Sequence, residues 1–244
     1  DVPVVIEQPP ATDIVVTSID IPATAKPGEP ITLRWTVRNV SDQVARGNWS
    51  DAAYLSPSAS WDLRGPLLGR ASFTGTLLPG ESYTATLDTV MPSVTPGFYR
   101  VLVRPNAQRQ LYEGPDGILN NLTASAGTML ATVDTLSLGV PLPLTLSTGQ
   151  TRLYQVSVPL GATLRVALSS TATGATNELF LRHAAAPTAS TYDAAYQGVL
   201  AANQVAVIPA TQSGVYYVLV RGHAEPANNT PATLLAQLVP LSIT

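Results

Sequence analysis

Apolar and polar residues alternate along the first half of the chain. In ITLRWTVRN, residues 31–39, Ile, Leu, Trp and Val occupy every second position, and Thr and Arg lie between them. This period of two is typical of a strand with one buried and one solvated face. The alternation recurs in SYTATLDTV (residues 82–90) and in FYRVLVR (residues 98–104). The pattern therefore predicts a β-rich first half with Trp35 in its core.

The second half also predicts strands. ATLRVALSS (residues 162–170) alternates, whereas GVYYVLVRG (residues 214–222) is apolar on both faces, as expected of a central strand. Turn sequences such as LLPGE and SVTPG separate the strands at the spacing expected of a sandwich. No apolar period of 3.6 residues persists over three turns in the first half, so we expect very little helix.

Chain length and a segment rich in Gly and Pro predict a division into two domains. Its 244 residues have room for two ordinary domains. DTLSLGVPLP, residues 134–143, breaks the strand pattern with Gly and Pro and predicts a short, partly packed connection. We predict a linker or edge strand over residues 1–12, one β-sandwich over 13–135 and a second over 136–244.

Composition excludes several classes of function. Charged residues make up 12% of the chain and the net charge is −3, so no basic surface for nucleic acid or anionic membrane is expected. No apolar run approaches the length of a membrane span. Cysteine is absent, which excludes disulfides and thiolate chemistry. The chain starts without Met, and we expect it to be a segment of a longer protein.

The stretch WSDAAYLSPSASWDLRGPLLG, residues 49–69, concentrates two of the three tryptophans and two aspartates. It is interpreted as strands SDAAYLS and RGPLLGRAS joined by a loop. Trp49 and Trp61 would cap one end of a core, and Asp51 and Asp62 would form turns. The alternative is a ligand loop, with calcium as the first candidate.

Calcium needs six to eight oxygen ligands, which closely spaced carboxylates and amides can supply. A second loop, LYEGPDGILNN, offers such groups and could meet the first loop at one end of a sandwich. The alternative is that these side chains are solvated turn residues. The candidate calcium ligands from both loops are Asp51, Asp62, Glu113, Asp116, Asn120 and Asn121.

Residues 13 to about 133 carry a family resemblance. The matching segments are DIVVTSIDIPATAKPGEPITLRWTVRN, WSDAAYLS, PLLG, LLPGESYTATL, GFYRVLV and LYEGPDGILNNLT. In this order they resemble the cell-adhesion-related domain found in bacteria, CARDB. The resemblance implies an immunoglobulin- or fibronectin-like β-sandwich of a large secreted or surface protein.

Residues 140 to 240 carry a second resemblance, in STGQTRLYQVSVPLGATLRVALS, ELFLRHAAAPTASTYDAAYQ and ATQSGVYYVLVRG. They are similar to the bacterial pre-peptidase C-terminal domain, which implies a jelly-roll-like β-sandwich. The most specific matches are Leu179, Arg182, Ala186, Pro187, Thr188, Tyr192 and Asp193. Family members often carry an Asp pair before this leucine and a Cys after the Tyr-Asp pair, whereas this chain has Thr176, Glu178 and Ala194. A metal or disulfide role is therefore not carried over.

Catalysis is not predicted. His183 and His223 are the only histidines, and neither lies in a metal-ligand spacing. No GxSxG elbow and no phosphate loop is present. The aromatic residues that could stack on sugars are few, namely Phe73, Trp61, Tyr192 and Tyr196.

The sequence predicts a non-catalytic structural, adhesion or assembly segment of a large secreted or surface bacterial protein. The alternative is an accessory module that binds carbohydrate or protein for a secreted hydrolase. We expect its partners to be neighbouring domains, other copies of the chain, or surface polysaccharide or protein. Residues 2–7, VPVVIE, are predicted to pack on a sandwich edge of this copy or of the next.

Overall fold

The protein is described from a computed structural model over residues 10–60 and 65–239. The predicted packing of residues 2–7, and the predicted roles of Trp61 and Asp62, lie outside these residues. The chain forms two compact units: the first contains residues up to 25, 30–91 and 97–130, and the second contains 26–29, 92–96 and 131 onward. Strands dominate both units, so the predicted all-β class is confirmed.

The first unit is a sandwich of two sheets. One has the strand order β1-β3-β6; the other has the order β2-β9-β7-β4-β5, with β8 paired to β7. Its elements are β1 (Ile14–Asp20), β2 (Thr24–Ala25), β3 (Pro30–Asn39), β4 (Ala45–Ser56), β5 (Leu67–Leu77), β6 (Ser82–Val90), β7 (Gly97–Arg104), a short helix α1 (Gly114–Gly117), β8 (Thr123–Ala124) and β9 (Met129–Ala131).

Strand β3 follows its sequence pattern. Ile31, Leu33, Trp35 and Val37 are buried, and the residues between them face outward. In the opposite sheet, β4 lies between β5 and β7. Five consecutive residues of β4, from Trp49 to Ala53, are buried. The predicted strand SDAAYLS is therefore only the second part of a longer strand, and the predicted strand RGPLLGRAS begins later, at the start of β5.

The second unit is also a two-sheet sandwich. Its sheets have the orders β10-β12-β17-β14-β15 and β11-β18-β13-β16. The strands are β10 (Asp134–Thr135), β11 (Leu142–Leu146), β12 (Thr151–Val158), β13 (Thr163–Ser169), β14 (Thr176–His183), β15 (Ala194–Ala195), β16 (Gln204–Ile208), β17 (Gly214–Ala224) and β18 (Thr230–Val239).

Strand β17 is central, as its sequence predicts. Tyr216, Val218 and Val220 enter the main core between the sheets. Tyr217 and Leu219 project to the other face, where they pack with Leu153, Phe180 and Ala186. Apolar residues on both faces are therefore explained by a sheet that is covered on both sides. No helix in the described part of the chain is long and apolar enough to cross a membrane.

Candidate functional site

Asp51 connects the two sheets of the first unit. It is 1% exposed and lies within β4, facing the sheet that contains β3 and β6, so the prediction that Asp51 forms a turn is wrong. The indole Nε1 of Trp35 donates a hydrogen bond to Asp51 Oδ2 at 2.8 Å, and the hydroxyl of Tyr83 donates to the same oxygen at 2.9 Å. The backbone N–H of Asn106 donates to Oδ1 at 3.2 Å. Both carboxylate oxygens are thus occupied by donors of the protein itself.

The electrostatics of Asp51 reflect two opposing effects. Burial raises the pKa of its carboxyl above the ordinary value of 3.8, while the donors Trp35, Tyr83 and Asn106 lower it. Burial and the nearby Asp51 charge also raise the pKa of Tyr83, which keeps its hydroxyl protonated and able to donate. Tyr83 in turn accepts a hydrogen bond from Trp49 Nε1 at 2.9 Å. The arrangement resembles a structural network more than a reactive carboxylate.

Three aromatic rings close over this network. Phe73 of β5 stacks on Tyr83 of β6 with ring centroids 4.2 Å apart, and its centroid is 4.5 Å from that of Trp49. Trp49 is buried, so its predicted position in the core agrees with the structure. Phe73 and Tyr83 are half-buried and leave little free ring face for a sugar.

Glu113 forms a second buried network next to the first. It is 3% exposed. Its Oε1 accepts from Asn121 Nδ2 at 2.7 Å and from Asn106 Nδ2, and its Oε2 accepts from the backbone N–H of Ile14 at 3.1 Å. Burial raises the pKa of Glu113 above its ordinary value of 4.5. Since Asn106 also donates to Asp51, this one residue bridges both buried carboxylates.

The other predicted calcium ligands are placed differently. Asp116 is exposed at α1. Asn120 is exposed and donates through Nδ2 to the carboxylate of Asp13 at 3.1 Å. Among residues 10–60 and 65–239, no group of three or more Asp, Glu or His side chains is arranged to hold a metal.

The groups around Glu113 offer few oxygens that are free to coordinate calcium. Amide nitrogens cannot coordinate a cation, and the orientation of Asn106 is fixed because its Oδ1 accepts from Leu111 N at 3.0 Å. Asn121 Oδ1 is buried without a partner in the described residues and is an oxygen that a cation could use. One free oxygen is far short of a calcium shell, so this arrangement does not fit the ion without rotation of the amides.

In the second unit, the residues that carry the family resemblance hold a segment against the sheet. Arg182 Nη1 donates to the carbonyl of Ala186 at 3.3 Å, and the carboxylate of Asp193 accepts from the backbone N–H of His183 at 2.7 Å. Between them, Thr188 Oγ1 accepts from the N–H of Thr191 at 3.0 Å and closes a turn. Hydrogen bonds within the protein therefore account for the spacing between the Ala-Pro-Thr motif and the Tyr-Asp motif, and no ligand is needed to explain it.

The histidines lie apart in surface positions. His183 packs against Tyr216 with ring centroids 5.0 Å apart. His223 Nδ1 lies 3.5 Å from Glu178 Oε1, and Arg221 Nη1 lies 3.2 Å from Glu178 Oε2. Glu178 is thus held by two basic side chains on the neighbouring strand β17.

A cleft of about 890 Å³ opens between the sheets of the second unit. One wall is formed by β10 and β12, and the other by β11, β18 and the end of β13. Arg152 and Tyr154 of β12 both line it. Arg152 Nε is buried without a hydrogen-bond partner in the described residues. Burial raises the pKa of Tyr154, and the charge of Arg152 acts in the opposite direction. The sequence did not indicate this cleft.

Comparison with known proteins finds a family model that matches part of the second unit. The sequence profile of the bacterial pre-peptidase C-terminal domain matches residues 150–222, which confirms the resemblance identified there. No curated protein matches the sequence significantly.

The matches among solved structures include both kinds of domain. One is the CARDB domain of a Pyrococcus furiosus protein in complex with di-metal ions, with 16% identity, a TM-score of 0.36, and coverage of 50% of this chain and 90% of that one. Another is the pre-peptidase C-terminal domain of collagenase from Bacillus anthracis, with 17% identity, a TM-score of 0.36, and coverage of 43% and 95%.

A β-glucosidase from Listeria innocua also matches, with 16% identity, a TM-score of 0.33, and coverage of 49% of this chain but only 16% of the enzyme. At these identities and TM-scores, the matches say nothing about the ligands or the activity of this chain.

Proposed function

We propose that this protein is a non-catalytic structural, adhesion or assembly segment of a large secreted or surface bacterial protein. The observation that supports this most directly is the use made of its buried acids. Asp51 and Glu113 are buried acids that could have suited a catalytic role, and both are occupied by donors from the framework. The match to a bacterial domain of modular proteins supports the same proposal.

Assembly has support from the sheet edges of the first unit. Within the described residues, β5 pairs only with β4, and β6 pairs only with β3, so each strand has one unpaired side. Unpaired edges accept added strands from neighbouring domains or from other copies of the chain. The predicted role of residues 2–7 as such a strand stays a prediction.

The test is an activity assay of the purified chain with peptide, ester and glycoside substrates. We expect no turnover above the buffer rate. Any turnover has to be assigned to this chain by the variants His183→Ala and His223→Ala. Turnover that copurifies with the protein and disappears in either variant would contradict the proposal.

The second candidate function is an accessory carbohydrate- or protein-binding module of a secreted hydrolase. The observation that favours it is the cleft of the second unit, which is large enough for a ligand and carries an arginine without an ionic partner in the described residues.

A further inference from the structure

The cleft between the sheets of the second unit has the dimensions of a ligand site. Its volume of about 890 Å³ lies within the range of about 300 to 1,000 Å³ typical of small-molecule sites. Because both sheets contribute to its walls, its shape is set by regular strands and not by loops alone. Such walls hold side chains in fixed positions, which favours specific binding.

Arg152 is the charged group in the cleft that most needs a partner. None of the acidic side chains in the described residues lies within 4.0 Å of its guanidinium, and its Nε is buried without an acceptor. A guanidinium without an ionic partner attracts an anion, and its planar terminal nitrogens can hold a carboxylate in a two-pronged hydrogen bond. The cleft therefore favours a ligand that carries an anionic group.

The nearby Asp134 limits how negative the group bonded to Arg152 can be. Asp134 also lines the cleft, but it is paired with Lys26, with Nζ and Oδ1 2.7 Å apart. This pairing leaves Arg152 as the uncompensated charge. A singly charged carboxylate is repelled less by Asp134 than a doubly charged phosphate would be, so a carboxylate is the better match.

The rest of the lining matches a sugar. Hydroxyl and amide residues line the cleft together with Tyr154. Leu142 and Leu144 supply apolar surface, on which the C–H face of a sugar ring can rest. The hydroxyl and amide residues of the lining include Thr135, Thr145, Ser169, Thr171, Asn203 and Thr233.

The strand next to the cleft disfavours a peptide ligand. Strand β11 is at the edge of its sheet, and a peptide could in principle extend the sheet along its free side. A proline in such a strand has its nitrogen on the unpaired side, where Pro143 offers no N–H. Pro141, just before the strand, also lacks this donor. The free side of β11 is therefore a poor template for strand addition.

We propose that this cleft binds a saccharide that bears a carboxylate, with Arg152 bonded to the carboxylate and the Ser, Thr and Tyr hydroxyls bonded to the sugar hydroxyls. This rests on the second candidate function and names its substrate class. An acidic polysaccharide of a cell surface or matrix has this chemistry.

The experiment is calorimetric titration of the full chain with trigalacturonic acid, with maltotriose as the neutral probe and triglutamate as the acidic peptide. We expect binding of trigalacturonic acid and much weaker binding of the other two. Arg152→Gln should weaken it at least about tenfold, because a hydrogen bond to a charged group contributes about 1.5 to 3 kcal/mol. Arg165→Gln is the matched control, since Arg165 lies on β13 outside the lining.

Thr233→Val removes one hydroxyl from β18 with little change of shape, and it should weaken binding severalfold even if Arg152→Gln fails to fold. Equal affinity of wild type and both cleft variants would overturn the proposal. So would preferential binding of triglutamate, or no binding of trigalacturonic acid. Hydrolysis of a probe would instead contradict the proposed non-catalytic function, and the two failures are therefore distinguishable.

Discussion

Replacement of Asp51 by Asn tests whether the buried carboxylate stabilises the first unit. Asp51 accepts hydrogen bonds from Trp35, Tyr83 and Asn106. Asparagine keeps the shape but offers one oxygen and one NH₂ group. The Tyr83 hydroxyl can rotate to accept from the NH₂ group, but the N–H groups of Trp35 and Asn106 cannot. One of these two buried donors must therefore face another donor.

The expected cost follows from that mismatch. A buried donor left without an acceptor costs about 1 to 3 kcal/mol. Loss of a buried charge offsets part of this cost, because burial disfavours the ionised carboxyl. We expect Asp51→Asn to lower the unfolding free energy of the first unit by about 2 kcal/mol.

The assay is urea unfolding followed by tryptophan fluorescence. All three tryptophans, at positions 35, 49 and 61, belong to the first half of the chain, so the signal reports on that unit. The control is Asp88→Asn, because Asp88 is an exposed aspartate of β6 bonded to Thr32. It should change stability by less than about 0.5 kcal/mol. An Asp51→Asn variant as stable as this control would refute the reasoning.

Three further predictions concern the same unit. First, because burial raises the pKa of both Asp51 and Glu113, their contribution to stability is present at low pH and is lost as pH rises through the folded-state pKa. As pH falls from neutral toward the ordinary carboxyl range, the urea midpoint of the wild type should therefore rise relative to that of Asp51→Asn. A midpoint of the variant that rises relative to the wild type would contradict this. Second, Trp35→Ala should lower the unfolding free energy by about 3 to 5 kcal/mol, since Trp35 is fully buried; a loss below about 1 kcal/mol in urea unfolding would show that its burial is misjudged. Third, because protein donors already satisfy Glu113, chelator should leave the thermal midpoint unchanged; a lower midpoint, restored by added calcium, would establish the calcium site that is the alternative interpretation of the sequence.

The strand pattern could be predicted from the sequence because it depends on local alternation. The β3 sequence determines which of its residues are buried, and the two apolar faces of β17 indicate a central strand. The length of β4 was less predictable. Its buried residues run consecutively from Trp49 to Ala53 and follow no period of two, because both faces of the strand are covered there.

The candidate sites were only partly predictable. Asp51 and Glu113 were found as carboxylates in loop-like sequence, but their partners are distant along the chain. Asn106 was missed because PNAQRQ has the composition of a turn, and nothing local shows that its amide reaches Glu113. Arg152 and Tyr154 lie on the regular strand β12, and the cleft they line exists only because of where β10 and β11 pass.

The Asn106 bridge also constrains the order in which the first unit can fold. It joins Asp51, 55 positions earlier, to Glu113, which in turn holds the N–H of Ile14, 99 positions away. Closing loops of this length carries an entropic cost before any contact forms. During synthesis, the donor set of Asp51 is incomplete until Asn106 has emerged, and that of Glu113 is incomplete until Asn121 has emerged. We therefore expect closure of the sandwich around these two acids to be a late step of folding.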